Sequence, residues 1–289
     1  GNPVTARASS FTGSLIPYRI SVVHFIIPFR QEKNSSAILF EKAEPTHIIM
    51  SHSFIDNSPS SYTNSPASRL MDDVKKQARA IHSQVIGFRR HLHAYPELSF
   101  REYQTAAFVK ARLDELGIAW TAIGETGVLG LITGDLSSTQ AIALRADMDA
   151  LPITEKNNVD YASRHAAVMH ACGHDVHTTC LLGAARILQE TRDKWHGTVK
   201  LIFQPGEEKN PGGASIMIRE GVLENPAPER IFGMHVHPLL PSGTFSFRGG
   251  KVMASADEIY ITVKVKGGHA AAPHLTADSI VIASQIVLS

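Results

Sequence analysis

The stretch TVKLIFQPGEE, residues 198–208, joins a run of apolar residues to a turn and two glutamates. Short apolar runs of this kind are typical of strands that are buried on both faces. The chain contains three more such runs: VLGLIT (128–133), AIALRA (141–146) and RIFGMHV (230–236). Helical stretches lie between them, notably at 175–190 and 214–222. Buried strands that alternate with helices predict an α/β fold, in which a sheet carries helices on its faces.

Two amphipathic helices are predicted ahead of these strands. From Met71 to Leu92 apolar residues recur at steps of three and four positions, and a second periodic stretch begins near Glu102. Gly117 is placed to form the C-terminal cap of this second helix.

The pattern changes near residue 257. EIYITVKV (258–265) alternates between apolar and polar residues, which predicts a half-exposed strand, and a helix is predicted from about Thr276. We therefore expect an extension at 1–70, a main domain at 71–253 and the beginning of a smaller α+β satellite domain at 254–289. Because the chain stops inside the last predicted helix, we expect that it is truncated.

The first 70 residues differ in composition from the rest. Residues 1–31 contain three arginines and no acidic residue, and residues 55–69 are rich in Ser, Pro and Asn. An organelle transit peptide has such a composition, and so does an unstructured extension. We expect the extension to be poorly ordered and keep organelle targeting as the alternative.

Composition argues against two classes of partner. The net charge is +1 and the sequence contains no basic stripe interleaved with aromatic residues, so we expect no nucleic-acid partner. No run of 18 apolar residues occurs, so we expect no membrane span. Cys172 and Cys180 would lie roughly 12 Å apart on one helix, too far for a disulfide. We therefore expect a reducing, cytoplasmic location.

The stretch MHACGHDVH (169–177) is the densest cluster of potential metal ligands. Cys172 and His174 lie two positions apart in a turn before a predicted helix, and thiolate and imidazole both bind borderline divalent metals. The chain contains 15 histidines, so a chance cluster is an alternative, as is a capping turn with a structural histidine.

Glu207 and Glu208 follow the strand at 198–203 and can point in different directions. One carboxylate can bind a metal while the other holds a water as general base. An exposed acidic turn is the alternative interpretation.

Three further motifs carry candidate residues. His235 and His237 end another apolar strand, Asp147 and Asp149 end a third, and His269 lies among small residues in the satellite domain. The aspartates could orient metal ligands. We predict that four clusters rich in Cys, His, Asp or Glu follow four strands of one sheet, and therefore meet at one edge.

These motifs, in this order, resemble the peptidase M20 family, and in particular its amidohydrolase branch of hippurate hydrolase and auxin-conjugate hydrolase type. The resemblance extends from about Met71 to the end of the chain. The motifs that carry it are RRHLHAYPELSFREYQTAAFV (89–109), ALRADMDALPI, HACGHDVHT, FQPGEE, FGMHVHP and KGGHAAAPH. It implies a zinc-peptidase-like mixed sheet flanked by helices, with residues 71–253 as the metal-dependent catalytic domain.

The resemblance also implies a role for each matching residue. Cys172 would bridge two divalent metal ions, Zn or Mn, with His174 and Glu208 completing the ligands of one ion. His235 would bind the second ion. Glu207 would be the general base and then the proton donor to the leaving amine.

His269 matches a family histidine that reaches from a partner subunit to stabilise the tetrahedral intermediate, which implies a homodimer in the full-length form. His177 and Asp149 match family positions in supporting roles. The family's further histidine ligand of the second metal lies near the C-terminus, beyond the end of this chain, so we expect the second metal to bind weakly.

The sequence thus predicts metal-dependent hydrolysis of N-acyl amino acids or similar small amides. A metal-held water would be activated by Glu207. One alternative is a thiol hydrolase with Cys172 as nucleophile, which leaves Glu207 and Glu208 without a role. The other is an inactive or incomplete M20-like chain that keeps the fold for binding or assembly.

Overall fold

The computed structural model describes residues 21–27, 48–50, 66–241, 243–247 and 259–289. The described residues form two compact units, one ending at 247 and one beginning at 259. Within the predicted extension at 1–70, the structure describes two short strands and the start of the first helix, and the rest lies outside the described residues. The predicted bounds of the three segments stay a prediction.

The first unit is built on a mixed sheet of eight described strands. They are β1 (Ser21–Ile27), β2 (Ile48–Met50), β3 (Ala119–Ile123), β4 (Gly127–Thr133), β5 (Leu136–Asp147), β6 (His196–Gln204), β7 (Arg230–Val236) and β8 (Phe245–Phe247). Across the sheet their order is β2-β8-β1-β7-β5-β6-β4-β3. The central strands β1, β7, β5 and β6 are parallel, and the pairings toward both edges are antiparallel.

The register of the parallel strands brings their carboxyl ends together. Asp147 at the end of β5 lies opposite Gln204 at the end of β6. On the other side of β5, Arg145 lies opposite Gly233 of β7, and the pairing ends there. The residues that follow β5, β6 and β7 therefore emerge at one edge of the sheet.

Helices cover both faces of this sheet. They are α1 (Pro66–Ala94), α2 (Tyr103–Glu115), α3 (His174–Glu190) and α4 (Gly213–Arg219). On one face, Val109 and Leu113 of α2 and Leu182 of α3 pack against Val128 and Phe203 of the strands. Each such side chain stabilises the fold by about 1.5–3 kcal/mol when fully buried.

On the other face, Met217 of α4 packs with Ile202 of β6 and Ala143 of β5. Phe203 and Ile202 are neighbours in β6 and belong to different cores, as the alternation of side chains along a strand requires. The predicted mixed sheet flanked by helices is confirmed.

Most of the predicted elements occur within a few residues of their expected bounds. Gly117 follows α2 with a φ of 64°, the left-handed conformation of a helix cap, as predicted. The strand β3 was not predicted: it lies at the edge of the sheet and buries only Ile123, so its apolar pattern is weak.

The second unit contains α5 (Ser279–Leu288), which begins three residues after the predicted Thr276 and is capped by the Asp278 carboxylate. The strand predicted at 258–265 is wrong for the described residues 259–265, which form no strand. Alternation alone does not make a strand, because its backbone groups need a neighbouring strand to pair with. Among all described helices, none combines the length and the apolar character needed to cross a bilayer.

Candidate metal centre

Two loops, the end of one strand and the start of one helix meet at the carboxyl edge of the sheet. The Asp147–Asp149 loop follows β5, the Glu207–Glu208 loop follows β6, and His235 lies near the end of β7. We predicted that four clusters of candidate residues follow four strands. This is wrong for one cluster, because Cys172 belongs to the turn that leads into α3. Strand β4 is antiparallel to β6, so its carboxyl end lies at the opposite edge.

His174 is the centre of the arrangement. Its side chain is fully buried, and its Nδ1 lies 3.2 Å from Asp149 Oδ1, so the ring N–H donates a hydrogen bond to that carboxylate. Its Nε2 is buried without a hydrogen-bond partner. This nitrogen lies 3.7 Å from Asp147 Oδ2 and 3.8 Å from Glu208 Oε1. A buried nitrogen held in this way beside carboxylates has the arrangement of a metal-binding histidine.

Cys172 and His235 form a second part of the centre. Cys172 Sγ lies 3.3 Å from His235 Nε2. The other ring nitrogen of His235, Nδ1, donates to the Val236 carbonyl at 2.6 Å. Nε2 is therefore the nitrogen that His235 presents to the thiol.

The donor atoms lie close enough to share metal ions. One ligand atom from each of Cys172, His174 and His235 lies within 4.8 Å of the others, and the same holds for His174, Glu207 and Glu208. The two groups have His174 in common. Thiolate, imidazole and carboxylate ligands suit zinc and manganese, so the residues fit a centre for borderline divalent metals.

The electrostatics of the centre favour a cation. Burial lowers the pKa of His174, but the hydrogen bond to Asp149 and the charges of Asp147 and Cys172 raise it to about 11. Burial raises the pKa of the Cys172 thiol, yet the neighbouring His174 and His235 bring it below its usual value. The acidic groups around His174 thus make the pocket negative, and a divalent cation would neutralise this charge.

The loop that carries Glu207 and Glu208 is fixed by distant carboxylates. Gly206 donates its amide to Glu102 Oε1 at 2.7 Å, and Glu208 donates its amide to Asp149 Oδ2 at 2.9 Å. Gly206 has a φ of 53°, and a Cβ there would lie 2.3 Å from the ring of Phe100. Burial and the charge of Asp147 raise the pKa of Glu207, which moves it toward the range of a general base.

Asp147 is a buried carboxylate beside His174, and it is hydrogen-bonded to two neighbouring side chains. Its carboxylate accepts from Arg145 at 2.6 Å and from His177 Nδ1 at 2.6 Å. Burial raises the pKa of Asp147, but the Arg145 charge and the His177 hydrogen bond hold it well below its usual range. Asp147 is therefore ionised, and it adds negative charge beside His174.

Sequence reasoning missed a buried cluster beneath α3. His93 Nδ1 lies 2.7 Å from Asp175 Oδ2, and His93 Nε2 lies 3.1 Å from Glu155 Oε1. Arg89 Nε lies 2.9 Å from the same Asp175 oxygen. These contacts tie α1 to the first turn of α3, beside His174. The RRHLH motif was a signal for the cluster, but its partners lie far along the chain.

The structure brings together Cys172, His174, Glu207, Glu208 and His235, the five residues predicted in the first unit. His237 follows β7 and accepts a 3.3 Å hydrogen bond from the amide of Leu239. His269 lies in the second unit, where it is exposed and its Nδ1 accepts from the amide of Ala271 at 3.1 Å.

Comparison with known proteins identifies the family. The model of peptidase family M20/M25/M40 matches residues 143–286. The chain is 46% identical over 211 residues to the N-acetyl-L-cysteine deacetylase of Bacillus subtilis, covering 72% of this chain and 50% of that protein. It is 42% identical over 226 residues to the N-acyl-L-amino acid amidohydrolase of Geobacillus stearothermophilus, covering 78% and 58%.

A solved structure supports the same relationship. The YXEP protein of Bacillus subtilis, a dinuclear metal binding peptidase from the M20 family, is 43% identical, with a TM-score of 0.53. The match covers 56% of this chain and 45% of that one. The chain spans about half the length of the curated relatives it matches. On the match at residues 143–286 and these relatives, the chain belongs to peptidase family M20/M25/M40.

Proposed function

We propose that this chain carries the catalytic centre of a metal-dependent amidohydrolase that acts on N-acyl amino acids or similar small amides. The observation that carries the proposal is the buried, unpartnered Nε2 of His174. It is fixed by Asp149 and surrounded by a thiol and carboxylates. Most buried polar side-chain atoms are hydrogen-bonded, whereas this nitrogen lies 3.7 Å from Asp147 Oδ2 and 3.8 Å from Glu208 Oε1 without such a bond.

In this proposal the centre holds two divalent ions, zinc or manganese. Cys172, His174, Glu208 and His235 would hold the ions, with Cys172 shared, His174 and Glu208 on one ion and His235 on the other. Bound divalent metal would act as a Lewis acid and lower the pKa of water to about 7. The roles of the four residues follow the family pattern. The donor distances place Cys172, His174 and His235 together, and they place His174 with Glu208.

Glu207 is proposed as the general base. One carboxylate oxygen of Glu207 lies within 4.8 Å of ligand atoms of His174 and Glu208, and the residue is exposed. Its raised pKa suits a group that takes a proton from water and later delivers it to the leaving nitrogen. Glu208, by contrast, is held by its amide against Asp149.

The remaining parts of the proposal rest on the family resemblance. His269 would stabilise the oxyanion from the smaller domain of a partner subunit, which implies a homodimer. The names of the relatives, a deacetylase of N-acetyl-L-cysteine and an amidohydrolase of N-acyl-L-amino acids, support a substrate with an acyl group on the nitrogen of an amino acid.

One observation favours a different reaction. The Cys172 thiol lies 3.3 Å from His235 Nε2, and its pKa is lowered, as in a thiol hydrolase with a cysteine–histidine pair. That reaction leaves His174 Nε2 and the two glutamates without a purpose, so we favour the metal-dependent reaction.

Chelation distinguishes the two reactions. The chain is assayed for hydrolysis of N-acetyl amino acids before chelation, after it, and after zinc or manganese is restored. The metal proposal predicts loss and recovery of activity. A thiol hydrolase would keep its activity after chelation and lose it on alkylation of Cys172. Alkylation of Cys172 would inactivate a metal enzyme too, because Cys172 is a proposed metal ligand. The result after chelation therefore decides between the two reactions.

A further inference from the structure

The end of β7 is held in place by the side chain of His177. Strand β5 pairs with β7 only as far as Arg145 and Gly233, so beyond Gly233 this side of β7 has no strand neighbour among the described residues. The amide of Val236 instead donates to His177 Nε2 at 2.9 Å. The imidazole therefore supplies the acceptor that a strand carbonyl would otherwise provide.

The orientation of His177 is fixed from its other side. Its Nδ1 lies 2.6 Å from Asp147 Oδ1, so the Nδ1–H donates a hydrogen bond to the carboxylate and Nε2 is left as an acceptor. His177 is 1% exposed, so both bonds form out of contact with water. Asp147 is itself held by Arg145 at 2.6 Å.

This arrangement excludes an obvious alternative role. Asp147, His174 and His177 have donor atoms within 4.8 Å of one another, which resembles a further metal site. Both nitrogens of His177 are already bonded, however, and binding a metal through Nε2 would leave the buried Val236 amide without an acceptor. An unsatisfied buried donor costs about 1–3 kcal/mol.

A second contact couples the same segment to the turn before α3. A Cβ on Gly173 would lie 2.3 Å from Cγ2 of Val236, so Val236 packs directly against that turn. Gly173 lies between Cys172 and His174, and Val236 follows His235. The end of β7 is thereby set against the turn that carries the other two donors.

We propose that His177 is a positioning residue, which binds no metal and fixes the end of β7 so that His235 faces Cys172. This inference rests on the proposed metal centre. The role assigned to His177 depends on the hydrogen bond that it accepts from the Val236 amide. Substitution by Gln or by Asn can separate this bond from the bond to Asp147.

The test compares two variants of the full chain. In His177→Gln the side-chain oxygen occupies nearly the place of Nε2 and can still accept from Val236. In His177→Asn the amide reaches only the place of Nδ1, so the bond to Asp147 can persist while the Val236 amide loses its acceptor. Amide hydrogen exchange of the peptide around Val236 is measured without metal, with a peptide from β6 as internal control. Cobalt titration then follows the thiolate-to-cobalt absorption band.

We expect faster exchange around Val236 and about 10- to 100-fold weaker cobalt binding in His177→Asn, with His177→Gln close to the parent in both. Equal loss of cobalt binding in both variants without a change in exchange would show that His177 is a ligand and overturn the inference. Parent-like behaviour of both variants would overturn it too. If the parent chain bound no cobalt, the metal proposal would fail, and the exchange data would still decide whether His177 holds β7.

Discussion

Gly206 donates its backbone amide to a carboxylate oxygen of Glu102 at 2.7 Å, across 104 positions of the chain. Glu102 is fully buried and also accepts from Thr126 Oγ1 at 2.7 Å and from the amide of Phe100 at 2.9 Å. The loop that presents Glu207 is therefore fixed by a residue just ahead of α2.

Replacing Glu102 tests this relationship. Glu102→Ala removes three acceptor interactions and frees the loop, so kcat for amide hydrolysis should fall about 100-fold, the usual effect of a displaced catalytic group. Glu102→Gln keeps an oxygen for the amides of Gly206 and Phe100 and should retain most of the activity. Steady-state kinetics of both variants provide the comparison. Equal activity of Glu102→Ala and the parent would show that the loop needs no such anchor.

Gly173 should be sensitive to the smallest added side chain. Its φ is 88°, and a Cβ would lie 2.3 Å from Val236 Cγ2. Gly173→Ala must therefore displace the turn or β7, and we expect weaker metal binding as well as lower stability. Gly117→Ala is the matched control, because Gly117 has a φ of 64° with open space around it. The control should cost only about 1 kcal/mol and leave metal binding unchanged. Similar metal affinity in both variants would contradict the prediction.

His93 should make the stability depend on pH. Burial lowers the pKa of His93, but hydrogen bonds and charges from Asp175 and Glu155 raise it above its usual value. The stabilisation from its charge is therefore complete below the ordinary pKa of about 6.5 and is lost as the pH rises through the raised pKa.

The variant His93→Gln removes this titration. We expect it to lose about 3–5 kcal/mol at pH 6, the usual cost of breaking a buried ion pair, and to lose less relative to the parent at pH 9. Urea unfolding at the two pH values gives the difference. His82→Gln, at an exposed position of the same helix, serves as the control. A loss that does not change with pH would contradict the prediction, because it would mean that the charge of His93 does not change between the two pH values.

Lys200 is a buried lysine with a structural task. It is 1% exposed, and its Nζ donates to the carbonyls of Glu224 and Pro226, which lie between α4 and β7. Lys200→Met removes both of these hydrogen bonds, and a hydrogen bond to a charged group contributes about 1.5–3 kcal/mol. Thermal unfolding should show the loss, while Lys194→Met at an exposed ion pair should change little. An unchanged melting temperature for Lys200→Met would refute the role.

The sequence allowed the prediction of features that are local. The strands β4 to β7 are apolar runs, and Cys172, His174, Glu207 and Glu208 stand in short motifs, so the chemistry of each could be read within a few positions. The edge strand β3 buries little, so its pattern carried no strong signal.

Pairings between distant residues could not be predicted. His93 and Asp175 lie 82 positions apart, and Glu102 and Gly206 lie 104 apart. The sequence does not show whether a given carboxylate or histidine is buried or exposed, so these partners could not be matched. The strand predicted at 258–265 had the right alternation, but pairing with another strand is a property of the fold and not of the segment.

Metal analysis of the purified chain, together with an amide hydrolysis assay, decides whether the metal centre hydrolyses amides with Glu207 as base. Both measurements are made on the parent and on Glu207→Gln. We expect two divalent ions per chain in both proteins after growth with zinc or manganese. We expect hydrolysis in the parent and a loss of at least about 100-fold in the variant, since general base catalysis contributes 10²–10⁴-fold. Metal-free protein, or full activity in Glu207→Gln, would contradict the proposed function.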